Sequence, residues 1–254
     1  MQRLLENLTG PEVGERLGEG SVLVWPMGAV EQHGPHLPLS VDSVIAEETA
    51  LAAVEACGEE LDIWLLPTLS ITKSNEHAWS PGTLWLSAET MLAVVDDVAR
   101  SIAATPAKRL VFLNAHGGNS ALLGVACREV RLAHGLMTFL VHPFVPPDQG
   151  GASGEHELAM GIHGGHDETS MMLHLRPELV QMGKATRRIP EHLANNKHVK
   201  FGGTVAFGWL SNDFGPDGHI GDPTHATAEE GERLFAGVVE RLVEQLREVV
   251  AFNF

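Results

Sequence analysis

Short apolar runs alternate with longer amphipathic segments along the whole chain. Four apolar runs predict buried strands, at 22–25, 63–66, 110–113 and 137–141. Five amphipathic segments predict helices, at 43–56, 87–104, 119–133, 168–175 and 228–250. Strands separated by helices of this length favour βαβ crossovers, so we expect an α/β fold with a mostly parallel sheet. No internal repeat or change of composition divides the chain, which predicts one domain over residues 1–254.

The segment 184–221 interrupts this alternation. It has little periodicity and is rich in Gly, Asn, Asp and His. Because loops of this length inside compact domains are usually functional, we expect it to form an extended wall or lid over a site.

Composition and charge restrict the classes of partner. The apolar fraction of 44% and the charged fraction of 20% are typical of a globular protein. The formal net charge of −16 argues against nucleic acid or an anionic membrane as a partner. The chain shows no signal peptide and no apolar run that could span a bilayer. Its two cysteines are expected to be reduced, so we expect a soluble, cytoplasmic protein.

The first cluster of chemically active residues follows the first predicted strand. Glu31 and His33 would share one face if that strand continues so far, and Asp42 lies at the start of the next helix. A carboxylate there can bridge two cations. The alternative is that Glu31 and Asp42 are turn and capping residues.

A second cluster, Asn114 to Asn119, directly follows the third predicted strand. Gly117 and Gly118 allow a tight turn that brings His116 close to a ligand. A glycine-rich turn can also hold phosphate, but the glycine patterns of phosphate-binding loops are absent.

The third cluster contains His163, His166, Asp167 and Glu168 at a predicted helix start. It suggests a general acid/base pair beside a metal-bound water, with helix capping by the two acids as the alternative. All three clusters would converge on one edge of a parallel sheet, and their oxygen and imidazole ligands suit Zn or Mn. A Gly-x-Ser-x-Gly elbow and a His-Glu-x-x-His motif are both absent.

Several motifs resemble the creatininase (creatinine amidohydrolase) family. They lie at 27–42, 114–119, 163–170 and 221–223, with further similarity at 76–77, 80–83 and 209–227. The resemblance implies a three-layer α/β/α sandwich and two divalent metal ions (Zn, Mn or Fe). It also implies hydrolysis of non-peptide or unusual C–N bonds, and a homohexamer.

The same resemblance implies roles for individual residues. Glu31 and His116 would hold one metal, His33 the other, and Asp42 would bridge them. His163 would be the proton shuttle, with Glu168 as its carboxylate partner or as a ligand of the second metal.

Two positions depart from creatininase itself. Gly118 stands where creatininase has a glutamate that binds the second metal. Either Glu168 or His166 replaces that glutamate, or the site holds one metal firmly and the other weakly. The chain also has no tryptophan between Trp85 and Trp209, ahead of the shuttle histidine, which argues against creatinine as the substrate.

We therefore expect a metal-dependent amidohydrolase acting on a small polar substrate, such as a cyclic amide or a formamide. A metal-bound hydroxide would attack the carbonyl while His163 gives a proton to the leaving nitrogen. One alternative is a peptidase of the mycofactocin-maturation type, for which a groove over the site would be diagnostic. The other is a metal-binding protein without catalysis.

Overall fold

The computed structural model describes residues 3–145, 147, 151 and 153–254, which contain one four-stranded sheet. Its strands are β1 (Val22–Met27), β2 (Ile63–Leu65), β3 (Arg109–Asn114) and β4 (Met137–Val141). The order is β2-β1-β3-β4, and every neighbouring pair is parallel. The four predicted strands and the parallel sheet are confirmed.

Seven α-helices accompany the sheet in the described part of the chain. They are α1 (Gly10–Arg16), α2 (Val41–Leu61), α3 (Ala88–Ala103), α4 (Ser120–His134), α5 (His166–Leu175), α6 (Glu191–Ala194) and α7 (Ala228–Ala251). The five predicted helices are confirmed. The additional helix α1 begins at a capping box between Thr9 and Glu12, with a proline in its first turn. No described helix combines the length and the apolar character needed to cross a membrane.

Helices cover both faces of the sheet, which confirms the three-layer sandwich. Alternate strand residues point to opposite faces. Leu23, Trp25 and Phe112 belong to a core cluster with residues of α3 and α4. Val24 and Val111 belong to a second cluster, formed with α2 and α7. The strands are therefore buried on both sides, which explains their continuous apolar sequences.

The loops that follow β1 and β3 leave the sheet side by side. These strands pair in parallel up to Met27 and Asn114, so both chains emerge at the same edge. β1 ends at Met27, so Glu31 and His33 lie in the loop after it and do not share a strand face. A Cβ on Gly28 would lie 2.5 Å from the backbone of Ser43, so the chain passes close to the start of α2 there.

The segment 184–221 has little regular structure, as its composition indicates. It contains α6 and a 3-10 turn at Ser211–Phe214, joined by irregular chain. Phe201 packs against Phe207, Trp209 and Phe214, with ring centroids 5.4 to 5.6 Å from its own. This small apolar cluster is separate from the two clusters beside the sheet.

Candidate metal centre

Three side chains at the edge of the sheet form what we call the first metal group: Glu31, Asp42 and His116. Glu31 lies in the loop after β1, Asp42 in the first turn of α2, and His116 just after β3. His116 Nδ1 is 3.1 Å from Asp42 Oδ2 and 3.4 Å from Glu31 Oε2. All three side chains are buried.

A second metal group consists of His33, Asp42 and Glu168. His33 Nε2 is 3.1 Å from Asp42 Oδ1 and 3.9 Å from Glu168 Oε2. Asp42 belongs to both groups and directs a different carboxylate oxygen toward each histidine. This is the arrangement expected of a carboxylate that bridges two cations.

The hydrogen bonds of the two histidines fix which ring nitrogen faces the carboxylates. His116 Nε2–H donates to the Lys73 carbonyl at 2.9 Å, and His33 Nδ1–H donates to the Glu31 carbonyl at 3.1 Å. The remaining nitrogens, His116 Nδ1 and His33 Nε2, therefore face carboxylate oxygens. Glu31 Oε1 and Asp42 Oδ2 are buried and accept no hydrogen bond. Metal-binding histidines usually donate their other N–H in this way, so the group fits a cation.

The pKa values of these side chains also show that the cluster stabilises positive charge. Burial raises the pKa of Glu31 to about 8. Burial alone would lower the pKa values of His33 and His116, but the carboxylates of Asp42 and Glu31 raise them to about 10 and about 9. Burial would likewise raise the pKa of Asp42, but His33 and His116 hold it far below normal. Divalent cations can replace the protons that this cluster attracts.

His163 lies against the same cluster. Its Nε2–H donates to the Gln32 carbonyl at 2.5 Å, and its Nδ1 is 3.6 Å from Glu31 Oε1. Burial, followed by the neighbouring His33 and His77, holds the pKa of His163 well below normal, so the ring is neutral. Within the described part of the chain, Glu31 is its only carboxylate contact within 4.0 Å. The contacts of Glu168 therefore favour the role of metal ligand over that of partner to His163.

Glu76 occupies the space beside Gly118. A Cβ at residue 118 would lie 1.9 Å from Glu76 Oε1 and 2.5 Å from His116 Nε2. Glu76 also pairs with Lys73, at 2.7 Å between Oε2 and Nζ. A glutamate at residue 118 would therefore displace Glu76 and crowd His116, and the carboxylate that lies beside His33 and Asp42 is that of Glu168.

The structure does not bring His166 into either metal group. Its backbone N–H donates to Glu157 Oε1 at 3.0 Å, and its ring packs on His156 with centroids 4.9 Å apart. Of the candidate ligands that the sequence indicates, Glu31, His33, Asp42, His116 and Glu168 come together, and His163 also lies close enough to Glu31 and His33 to share a metal ion with them.

Sequence reasoning missed His77, Gln32 and Ser74. Gln32 Oε1 accepts from the Gly34 N–H, so Gln32 Nε2 is the donor to His77 Nδ1, at 2.8 Å. His77 therefore directs an Nε2–H toward Glu31 Oε1 at 3.4 Å, and the Ser74 hydroxyl donates to Glu31 Oε2. The long irregular stretch between β2 and α3 is the signal that could have located His77 and Ser74.

A cleft of about 1010 Å³ opens over the metal groups. Besides the cluster, several apolar side chains line it: Leu140, Phe144, Ile162, Phe207 and Trp209. Two of these lie in the segment 184–221, so the expectation that this segment forms a wall of the site is confirmed for that part. The volume is at the upper end of small-molecule sites, which span ~300–1,000 Å³.

Comparisons with known proteins agree with this geometry. The creatininase family model, described as creatinine amidohydrolase, matches residues 6–246. A mycofactocin precursor peptide peptidase from Mycobacterium ulcerans (strain Agy99) is 36% identical over 232 residues, which cover 89% of this chain and 84% of the relative. A creatinine amidohydrolase from Pseudomonas putida is 34% identical over 201 residues, covering 72% and 75%. A solved structure described as "Creatininase Mn" is 26% identical, with a TM-score of 0.76 and 98% of both chains covered.

The matched region spans nearly all of the sheet, its helices and the two metal groups. The chain belongs to the creatininase family of metal-dependent hydrolases.

Proposed function

We propose that this chain hydrolyses a C–N amide bond at a centre of two divalent ions such as Zn, Mn or Fe. The observation that carries the proposal is Asp42, which directs Oδ1 to His33 and Oδ2 to His116 at 3.1 Å each. Glu31 would complete the first position and Glu168 the second. When bound, the ions would activate water and polarise the scissile carbonyl.

His163 is placed to move the proton. Its Nε2–H is engaged by the Gln32 carbonyl, so Nδ1 has the free lone pair and faces Glu31 at the cluster. A neutral imidazole there can accept a proton from the attacking water and return it to the leaving nitrogen. His77 contributes a fixed N–H on the same side, and its pKa is also held well below normal, chiefly by burial.

A peptide is the substrate class that we favour. The cleft is large and partly apolar, which suits a peptide better than a small polar molecule. The relative that is 36% identical is named a mycofactocin precursor peptide peptidase. The non-peptide amides suggested by sequence motifs are smaller than the space available. The non-catalytic alternative gives no role to the fixed, neutral His163.

The proposal is tested by metal analysis of the purified protein followed by hydrolysis assays. Protein stripped with a chelator is reloaded with Zn, Mn or Fe and offered short peptides, a lactam and a formamide. Metal-dependent cleavage of a peptide supports the favoured class. Cleavage of only the lactam or the formamide would show that the chain hydrolyses small amides and not peptides. Inactivity on all three substrates would overturn the proposed function.

Replacing His163 separates metal binding from proton transfer. We expect His163→Asn to keep its bound metal while kcat falls by about 100- to 10,000-fold, the range for losing a general acid/base. Metal content and kcat are measured on the same preparation. Loss of one ion from this variant would instead identify His163 as a ligand.

A further inference from the structure

Two positively charged residues line the cleft, and they differ in their partners. Lys73 Nζ is 2.7 Å from Glu76 Oε2, so a carboxylate already balances its charge. Arg241, on α7, has no carboxylate partner among residues 3–145, 147, 151 and 153–254. Its Nη2–H donates to the Pro143 carbonyl at 2.5 Å, which fixes the guanidinium beside the end of β4. Most of its N–H donors remain for another acceptor.

The residue before Pro143, His142, also lines the cleft, and a chain of hydrogen bonds sets its tautomer. Asn114 Nδ2 donates to the His116 carbonyl at 2.7 Å, and Asn114 Oδ1 accepts from the His116 N–H at 3.3 Å. These two hydrogen bonds fix the orientation of the Asn114 side-chain amide. Asn114 Nδ2 therefore also donates to Ser120 Oγ at 3.2 Å. Among the described contacts of Ser120 Oγ, only His142 Nε2, 2.9 Å away, can accept the hydroxyl proton, so the arrangement that satisfies both groups has Ser120 as the donor.

It follows that His142 has its proton on Nδ1. Burial lowers the pKa of His142, so the ring is neutral and Nδ1–H is a fixed donor. No residue in the described part of the chain accepts a hydrogen bond from this nitrogen, and the nitrogen is not among the buried, unpartnered atoms.

We propose that His142 and Arg241 form a subsite for a substrate carboxylate, supplied by the terminal carboxylate of a peptide whose scissile bond lies at the metal centre. This inference rests on the proposed function. The Arg241 guanidinium contacts the Pro143 carbonyl, and His142 is the residue before Pro143. Together, the guanidinium and the neutral N–H offer the hydrogen bonds that a carboxylate accepts.

The other residues of the cleft support the binding of a substrate carboxylate at His142 and Arg241. Its other ionisable lining residues are mainly acidic: Glu31, Asp42, Glu76, Glu157, Asp167 and Glu168. An anionic group is attracted where Arg241 has no acidic partner among the residues that the structure describes. The apolar residues Leu140 and Phe144, next to the subsite in sequence, leave room for the intervening part of the substrate.

The test compares a short peptide acid with the same peptide as its C-terminal amide, on the metal-loaded enzyme. Binding is measured by calorimetry, and kcat and KM are measured separately. We expect the acid to bind at least about tenfold more tightly than the amide, since hydrogen bonds to charged groups contribute ~1.5–3 kcal/mol. In Arg241→Met this preference should disappear, through KM and with little change in kcat.

Two further variants isolate the subsite. Arg247→Met, on the same helix but paired with Glu60 outside the cleft, should keep the preference for the acid. His142→Asn retains a donor near the Nδ1 position and should keep most of the preference for the acid. In His142→Phe, this preference should fall several-fold.

Equal binding of acid and amide to the native enzyme would overturn the subsite, even where both peptides are hydrolysed. A preference for the acid that persists in Arg241→Met would also overturn it, because the metal ions would then hold the carboxylate. A preference that depends on Arg241, without hydrolysis of either peptide, would support the subsite and count against the proposed function alone.

Discussion

The two metal groups share Asp42 but are built from different parts of the fold. The first metal group takes its other ligands, Glu31 and His116, from the loops that leave β1 and β3, and both are buried. The second metal group depends on Glu168 of α5, and the side chain of Glu168 is 23% exposed to solvent. One site is formed by the sheet edge, whereas the other is completed by a helix lying over it.

This difference predicts unequal metal affinities. The ends of β1 and β3 are fixed by a continuous parallel ladder. Helix α5 packs chiefly on α7, where a Cβ on Gly231 would lie 1.9 Å from the Ser170 carbonyl. A shift of α5 would move Glu168 without disturbing the first metal group. We therefore expect the first ion to be held more tightly than the second.

The largest effect is expected from Asp42→Asn, because both metal groups lose the residue that they share. We expect loss of most bound metal and a fall in kcat/KM of more than about 1,000-fold, from lost activation of water and carbonyl. Elemental analysis and assays check this result. Asp97→Asn, at an exposed position of α3, is the control. Full occupancy in the Asp42 variant would rule out the bridging role.

Glu168→Gln tests whether the two ions are held with unequal affinity. We expect the second ion to be lost and the first to remain, with activity about 100-fold lower, the upper range for a perturbed metal site. The control is Asp167→Asn, one residue earlier in the same helical turn and outside both metal groups. If the Glu168 variant lost both ions, the two positions would not be independent.

Most of the fold could be predicted from periodicity, because the strands are apolar on both faces and the helices are amphipathic. The end of β1 could not, since Gly28 and its approach to Ser43 depend on how α2 packs. Helix α1 was missed because seven residues contain too few turns for a period to emerge. Assembly as a homohexamer remains a prediction from the resemblance.

The ligands that follow strand ends could also be predicted, since their place in the sequence gives their place at the sheet edge. His77 and Gln32 could not be assigned, because their role is to orient other side chains through contacts distant in sequence. Glu168 could be chosen over His166 only once α5 was seen to direct Glu168 at His33. The contact between Glu76 and Gly118 could not be predicted either, because the two residues are more than 40 positions apart along the chain.

Gly118→Ala tests the first metal group by a smaller perturbation. The new Cβ would crowd Glu76 Oε1, which can move, and His116 Nε2, which is held by the Lys73 carbonyl. We expect about tenfold weaker binding of the first ion, since groups that orient ligands contribute ~10–100-fold to affinity. Competition with a chromogenic chelator measures it. Gly124→Ala, where a Cβ meets nothing within 4 Å, is the control, and equal behaviour of the two variants would contradict the expectation.

The last prediction concerns stability rather than metal binding, at the contact that joins the loop of His33 to α5. His36 Nε2 is 3.0 Å from Thr169 Oγ1, next to Glu168 in sequence, and burial, followed by His219 and His33, lowers the pKa of His36 to about 4. In the unfolded chain His36 takes up a proton near pH 6.5, the ordinary pKa of histidine, whereas in the folded protein it resists protonation. The stabilisation from neutral His36 is therefore present above that value and lost as the pH falls toward about 4.

His36→Gln should remove this pH dependence while keeping an amide near Thr169. Between these pH values, we expect the free energy of unfolding of the native chain to fall by about 1–3 kcal/mol more than that of the variant. Urea denaturation at each pH measures the difference, and acid release of metal affects both proteins alike. His192→Gln, at an exposed position of α6, should behave like the native chain. Parallel pH profiles for the native chain and His36→Gln would show that this contact does not tie α5, and with it the second metal group, to the sheet edge.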